Sequence, residues 1–374
     1  MKKFLIGGSP CTHWSIAQKK NRETTAEGIG WELFKNYIIA KEKFKPDFFL
    51  YENNKSAAQA IKDQIATELE APLQYINSAL VSAQNRQRFY VHNFGKVPLP
   101  EDRGIMLKDI LESGESWIDK AFAYTTRCAG AIPEDTLKRH RHTMVAENVT
   151  ENVAEAETVR RAIAEIVQKY GYLPEMFNPY NRTRIEGKSP TLSTGSMVTS
   201  SCATILIEKA SENTRYAVLP NGRRTEIYRV ENGFVEIKGE RYKINLENGF
   251  YIFRKLTVTE AERLQTLPDG YTRAVSNAQA YKGLGNGWTA EVIIHLLSYA
   301  LKDIPKDEEI IVLSMYDGIG TGRYCFDKLG YHNIKYYAYE IDKYAMQIAN
   351  SNYADIIQCG DAFQVREEGW GVEQ

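Results

Sequence analysis

The chain has 374 residues, 43% of them hydrophobic and 25% charged, with a formal net charge of −1 at pH 7. That length suits one large domain carrying an insertion, or two domains, and the balanced charge excludes a uniformly basic protein, so any polyanion must meet a local basic face. The five cysteines, Cys11, Cys128, Cys202, Cys325 and Cys359, are scattered without paired spacing, which excludes a disulfide framework and a structural zinc site and points to a reduced, cytoplasmic protein.

In chain order, MKKFLIGG holds an apolar run (Phe4 to Ile6) too short for a signal peptide or a membrane span, and it reads as a buried strand. Pro10 stiffens the turn that presents Cys11. A helix-like pattern from Trp31 to Phe44 follows, then apolar runs at Phe48 to Tyr51 and Phe89 to Val91. This alternation predicts a parallel sheet with crossover helices. Residues 151–170 place Val159, Ile163, Ile166, Val167 and Tyr170 at helical spacing before Gly171 and Pro174, predicting an amphipathic connecting helix. From about 196 to 253 the pattern turns to β, with Asn221-Gly222, Asn232-Gly233 and Asn248-Gly249 as hairpin turns between alternating runs. IIVLSMYDG, KYYAYEID and ADIIQCGD then predict three more strands, so both termini belong to one alternating α/β domain with a β-rich insertion.

Several strand ends carry chemistry. SMYDGIGTG, Ser314 to Gly322, follows a strand and opens a helix; Gly318, Gly320 and Gly322 let backbone approach a ligand at the carboxyl edge of the sheet. Glu340 ends the next strand, placed to accept from ribose hydroxyls, and Asp361 ends the third, placed to meet an adenine edge. No GKS or GKT follows, so the expected ligand is a nucleoside without a phosphate chain. At the other end Cys11 and Glu52 close two neighbouring strands. Arg86 and Arg88, separated by one residue, face the same way on an extended chain. The plain alternatives are an inert core thiol for Cys11, a cap or a surface ion pair for Glu52, and a solvated charged run for the arginines.

Together these blocks resemble the cytosine-5 DNA methyltransferase family. GGSPC, ENN, QNRQR, FRKLTVTEAERLQTLPDGY, AYKGLGNGW, YDGIGTG, YEID and GD each match a family motif and touch most of the chain outside residues 95–180 and 200–250. The order departs from the family, with the cysteine block first and the cofactor block last. The resemblance therefore implies an α/β, Rossmann-like S-adenosylmethionine-dependent methyltransferase fold, circularly permuted, with an inserted β-rich target-recognition domain. Residues 1–112 would form the catalytic half, 113–253 the connecting helices and target-recognition domain, and 254–374 the remainder with the cofactor-binding half. The KDIPKDEE linker would join the rewired ends, and new termini in a surface connection are tolerated. Leu284 to Trp288 is also similar to the vertebrate de novo methyltransferases, in which a tryptophan lies near the cofactor.

The resemblance implies that Cys11 attacks carbon 6 of a cytosine, that Glu52 holds ring nitrogen 3 and the exocyclic amine, and that Arg86 and Arg88 fix the site electrostatically. It assigns S-adenosyl-L-methionine to a pocket of Pro10, Asn286, Trp288, Tyr316, Gly318, Gly320, Glu340, Ile341 and Asp361, with Tyr316 standing where phenylalanine is usual. The base must be flipped out of a duplex, so the polar loop after Cys11, with Ser15, Lys19, Lys20 and Arg22, is expected to close over DNA. Arg223 and Arg224, with Arg229 and Lys238, are expected at phosphates or base edges; Arg182, Arg184 and the run Lys138 to His142 would extend a basic face. The expected partner is double-stranded DNA, with no metal and no membrane, and the enzyme would either pair with a cognate restriction endonuclease or be carried by a phage as protection. Competing readings are methylation of a structured RNA such as tRNA, a catalytically silent DNA-binding relative, and a half-enzyme needing a second chain.

Overall fold

The computed structural model describes residues 1–16, 22–148, 153–172, 174, 176–178, 182–184, 205–206, 215–218, 224–367 and 369. The first apolar run forms strand β1 (Lys2–Gly7), whose alternation sends Leu5 into one buried cluster and Phe4 and Ile6 into another. Helix α1 (Gly28–Phe44) buries Trp31, Phe34, Tyr37, Ala40 and Phe44 at spacings of three and four, and ends where Lys45 turns left-handed at φ 50°. Strand β2 (Phe48–Asn54), helix α2 (Gln59–Leu69) and strands β3 (Leu73–Asn77) and β4 (Gln87–His92) follow.

Next come β5 (Met144–Asn148) and α3 (Val153–Tyr170), then β6 (Arg224–Glu231), β7 (Phe234–Ile237), β8 (Glu240–Lys243) and β9 (Gly249–Lys255). Three helices follow, α4 (Val258–Leu264), α5 (Asn277–Asn286) and α6 (Ala290–Ala300). The chain closes with β10 (Ile310–Met315), α7 (Thr321–Lys328), β11 (Ile334–Tyr339), α8 (Lys343–Asn352) and β12 (Ile356–Gly360).

Seven of these strands make one sheet in the order β12-β11-β10-β1-β2-β4-β3. The two ends of the chain meet at its centre, where β1 and β10 pair in parallel from Lys2↔Ile310 to Gly7↔Met315. Helices α1 and α2 cover one face with the cluster around Leu5, Phe49, Tyr51 and Leu313. The opposite face carries Phe4, Ile6, Val312 and Tyr336 beneath α5, α6, α7 and α8. The sheet is parallel from β12 to β2 only. The Phe89 to Val91 strand, expected in a parallel sheet, runs antiparallel to both β2 and β3. Residues 78–86, which join β3 to β4, are too few for a parallel crossover.

A second, antiparallel sheet has the order β8-β7-β6-β9-β5, with Trp117, Val230, Val235, Tyr251 and Phe253 in its core. Asn232 and Gly233 make the expected β6–β7 turn, both with positive φ. Asn248-Gly249 does not form a hairpin turn: Gly249 opens β9, and Asn248 Oδ1 accepts from Asn232 N. The β7–β8 turn falls instead at Lys238-Gly239, with φ 52° and 78°. Asn221-Gly222 lies outside the described residues, as does Cys202. Helix α3 forms as expected, burying Ile166 and Ala162 while Val167 faces solvent.

Arg254, at the end of β9, ties the second sheet to helix α4 and to the loop at Ser113. It donates to Glu260 in a fork (both 2.8 Å), to Glu147 Oε1 (2.6 Å) and to the Ser113 carbonyl (2.6 Å). Glu260 has no exposed surface and also caps α4 by accepting from Thr257 N. Among the described residues no helix is long and apolar enough to cross a membrane.

Candidate active site

The carboxyl ends of β1, β2 and β10 border a cavity of about 400 Å³. On its first wall the chain leaves β1 through Gly8, where a Cβ would collide with the Glu52 carbonyl, so loop and strand touch backbone to backbone. Strand alternation in β2 turns Tyr51 and Asn53 toward that loop. The Tyr51 hydroxyl shares a 2.8 Å hydrogen bond with the Ser9 hydroxyl, while Asn53 Nδ2 donates to Ser9 O (2.9 Å) and to the Tyr51 hydroxyl (3.0 Å). All three side chains are buried. Pro10 then caps a short 3₁₀ turn, Cys11–His13, which leaves Cys11 half-buried on the cavity wall.

Glu52 points into the same cavity. Its Oε1 pairs with Arg88 Nε at 2.8 Å, and its Oε2 accepts from the Trp288 indole N–H at 3.1 Å. Arg86, two residues from Arg88, lines the same cavity, but its guanidinium bonds backbone. It is 4% exposed, and its guanidinium donates to the carbonyls of Tyr124 (2.7 Å), Gly287 (2.8 Å) and Gly285 (3.4 Å). Burial pushes its pKa down to about 10, the like charge of Arg88 adds to that, and Glu52 and Cys11 act in the opposite direction. Arg86 is thus a protonated clamp across three backbone carbonyls.

At the other end, Tyr316 follows β10 with φ +60°, an uncommon conformation for an aromatic residue. Its hydroxyl donates to the Leu33 carbonyl (2.7 Å) and accepts from Asn36 Nδ2 (3.2 Å), bonds that a phenylalanine lacks. A Cβ on Gly318 (φ +67°) would meet open space. Gly322, expected to serve ligand approach, serves packing: a Cβ there would collide with the Tyr336 hydroxyl. Glu340 accepts from Gly318 N on Oε2 and from Ile341 N and Asp342 N on Oε1, each at 2.8 Å, so it ties the two turns together and keeps one lone pair of Oε2 for a ligand. Ile341 is 71% exposed at the cavity, and Asp361, Asn286, Pro10 and Trp288 also line it. Gly320 does not line it and instead caps α7 with φ +78°. Sequence reading missed Phe363, which lines the cavity two residues beyond Asp361 and is 40% exposed. An exposed aromatic after a strand-ending aspartate was its only signal.

Behind the turn sits Asp317. Its Oδ1 accepts from Ser314 Oγ (2.7 Å) and the Tyr336 hydroxyl (2.6 Å), whereas Oδ2 is buried without a partner. Burial pushes its pKa up to about 6, against the lowering effect of the two hydrogen bonds. The folded state therefore holds this proton more tightly than the unfolded chain, and stability falls as pH rises from about 4 to about 6, by up to roughly 3 kcal/mol. Asp317→Asn is expected to remove that slope. Urea unfolding at pH 4.5 and pH 7 checks this, and an unchanged difference between wild type and variant at the two pH values would refute it.

The expected nucleic-acid contacts divide. Lys19, Lys20 and Arg223 lie outside the described residues, and of Arg224 and Arg184 only the strand position is described. Arg22 holds the base of its loop by donating to the carbonyls of Trp14 (3.1 Å) and Ser56 (2.6 Å). Ser15 Oγ lies 3.5 Å from Asn54 Nδ2. Several basic side chains meet carboxylates: Arg229 meets Glu231, Lys238 meets Glu134, Lys138 meets Glu240, Arg182 meets Glu165, and both Arg139 and Arg141 meet Asp135. Among the described residues no cluster of side chains suits a metal ion.

Comparison with curated proteins gives no significant match. Among solved structures, the S. pombe Dnmt2 methyltransferase is similar at 12% identity and a TM-score of 0.31, over 69% of this chain and 67% of that one. The family model for C-5 cytosine-specific DNA methylase matches residues 1–302. The chain belongs to the C-5 cytosine-specific DNA methylase family, whose methyl donor is S-adenosylmethionine.

Proposed function

We propose that the protein is a DNA (cytosine-5)-methyltransferase that modifies a flipped cytosine within a short duplex word, using Cys11 as a covalent nucleophile. One observation carries this reading: Cys11, Glu52 and Arg88 border the same cavity as the Tyr316–Gly318 turn and the Glu340 strand end. The donor fits that cavity. Gly318 leaves open space beside it, Gln279 Oε1 is buried there without a partner, and Glu340 and Asp361 place carboxylates on the lining, whereas Asp342 is paired with Lys282. Ile341 and Phe363 offer apolar surface for an adenine, and Pro10, Asn286 and Trp288 complete the wall.

When bound, S-adenosylmethionine supplies an electrophilic methyl group on a positively charged sulfur. The protein's part is to make carbon 5 of cytosine nucleophilic. The Cys11 thiolate adds to carbon 6, forming a C–S bond and moving the ring electron pair to carbon 5. Glu52 holds nitrogen 3 and the exocyclic amine and shares the proton that offsets charge on the ring, while Arg88 fixes the carboxylate. After methylation, loss of the carbon 5 proton to a base returns its electron pair to the ring and expels Cys11.

The order of the sheet supports a permuted arrangement. The cofactor turn lies at the end of the chain, beyond the residues matched by the family model, yet β10 pairs with β1. We assign the second sheet, with the residues around it, to target recognition, the loop after Cys11 to closure over DNA, and Arg224 and Arg229 to the DNA face. A cognate restriction endonuclease fits such an enzyme as partner.

Purified protein with donor labelled in its methyl group tests the reading. Label is expected in plasmid DNA and absent from tRNA, with bisulfite sequencing showing protected cytosines in one short word. Label in tRNA alone would move the substrate to RNA, and no label in either would leave a silent binder.

A further inference from the structure

We infer that Trp288 is a positioning residue for methyl transfer, holding the Glu52 carboxylate through its indole N–H while its ring walls the cofactor cavity. The inference rests on the proposed function and adds to it a role for this side chain toward the base-binding carboxylate. Trp288 stands 236 residues from Glu52 in sequence, yet its Nε1 donates to Glu52 Oε2 at 3.1 Å. An aromatic wall needs only a ring face. Trp288 is half-buried, so its N–H had water as an alternative partner, and it points at the carboxylate instead.

The division of donors around Glu52 gives the contact its meaning. Arg88 Nε takes Oε1 and Trp288 takes Oε2, so each oxygen has a protein donor and keeps a lone pair for a ligand in the cavity. Arg88 alone would leave the carboxylate free to turn about its last bond. The indole itself is held by its neighbours. Arg86 Nη2 donates to Gly287 O, and Thr289 Oγ1 bonds to Ser78 Oγ (2.9 Å) and Gln265 Oε1 (3.1 Å). The residue that touches the cofactor end of the cavity therefore also fixes the carboxylate at its base end.

Trp288→Phe keeps a ring and removes the donor. The expected result is a fall in kcat of about 10- to 100-fold, since loose placement of one reacting group costs that much. The dissociation constant for S-adenosylmethionine, measured by calorimetry, should stay within about threefold of wild type. A cofactor wall alone would give the reverse, with weaker cofactor binding and an unchanged kcat at saturating cofactor, and that result would overturn the inference.

A second readout needs no activity. The indole ¹H–¹⁵N resonance of Trp288, assigned by its loss in Trp288→Phe, is expected to move in Glu52→Ala. An active wild type whose indole resonance ignores Glu52→Ala would sink this inference alone. An inactive wild type whose resonance does respond would sink the proposed function, and the positioning role with it.

Discussion

Cys11→Ala is expected to abolish methyl transfer, by on the order of 10⁴-fold or more, while leaving the fold intact. Loss of a covalent nucleophile removes the step on which the later steps depend, so little is recovered from the remaining groups. The fold should tolerate the change. Cys11 is half-buried, and among the described residues its Sγ takes no hydrogen-bond partner. Its loop is held by backbone and by neighbours, with Trp14 N and Ser15 N donating to Cys11 O and the Ser9–Tyr51–Asn53 network securing the chain before it. A change in stability within about 1 kcal/mol is expected at such a site. Label transfer and a thermal melt on the same preparation test both halves. A duplex carrying 5-fluorocytosine in the target word adds a third test: wild type should form a denaturation-resistant adduct and Cys11→Ala none. A variant that methylates as well as its parent would end the covalent mechanism.

Much of this site was readable in sequence because it is built from strand ends. Cys11, Glu52, Glu340 and Asp361 each follow a short apolar run, and parallel strands deliver the residues after them to one edge. The alternating α/β pattern was equally readable, because Phe4 to Ile6, the α1 stripe and the three C-terminal runs have clear periods. What failed to show was pairing across long separations. Arg86 and Arg88 look equivalent as i and i+2, yet one meets the Tyr124, Gly285 and Gly287 carbonyls and the other a carboxylate. Arg22 looked like a free cation and holds two carbonyls. Trp288 looked like a wall of the cofactor pocket, and its N–H reaches Glu52. β3 escaped notice because LQYIN is short and only Ile76 is buried. Gly322 and Gly318 share one motif, but the Tyr336 ring beneath α7 separates their roles.

The two neighbouring arginines should separate cleanly under mutation. Arg86→Ala is expected to destabilise the fold by about 2–4 kcal/mol and to lower activity with it. Buried carbonyls left without donors cost about 1–3 kcal/mol each; removing a cation whose burial already depresses its pKa to about 10 offsets part of that. Two of those carbonyls, Gly285 and Gly287, flank the turn that presents Trp288, so the loss should spread to Glu52. Arg86→Lys should fall between, because one ammonium cannot reproduce a fork across carbonyls on separate segments. Arg88→Ala should do the opposite. Its partner Glu52 faces an open cavity and keeps the indole donor, so the loss of stability should be smaller than in Arg86→Ala, although the pair is only 12% and 13% exposed, whereas kcat falls because the carboxylate is held on one side only. Urea unfolding of the three variants, with kcat measured on each, decides the matter. Equal loss of stability in Arg86→Ala and Arg88→Ala would mean that both arginines are structural. A stable but inactive Arg86→Ala would return Arg86 to direct contact with the reacting base.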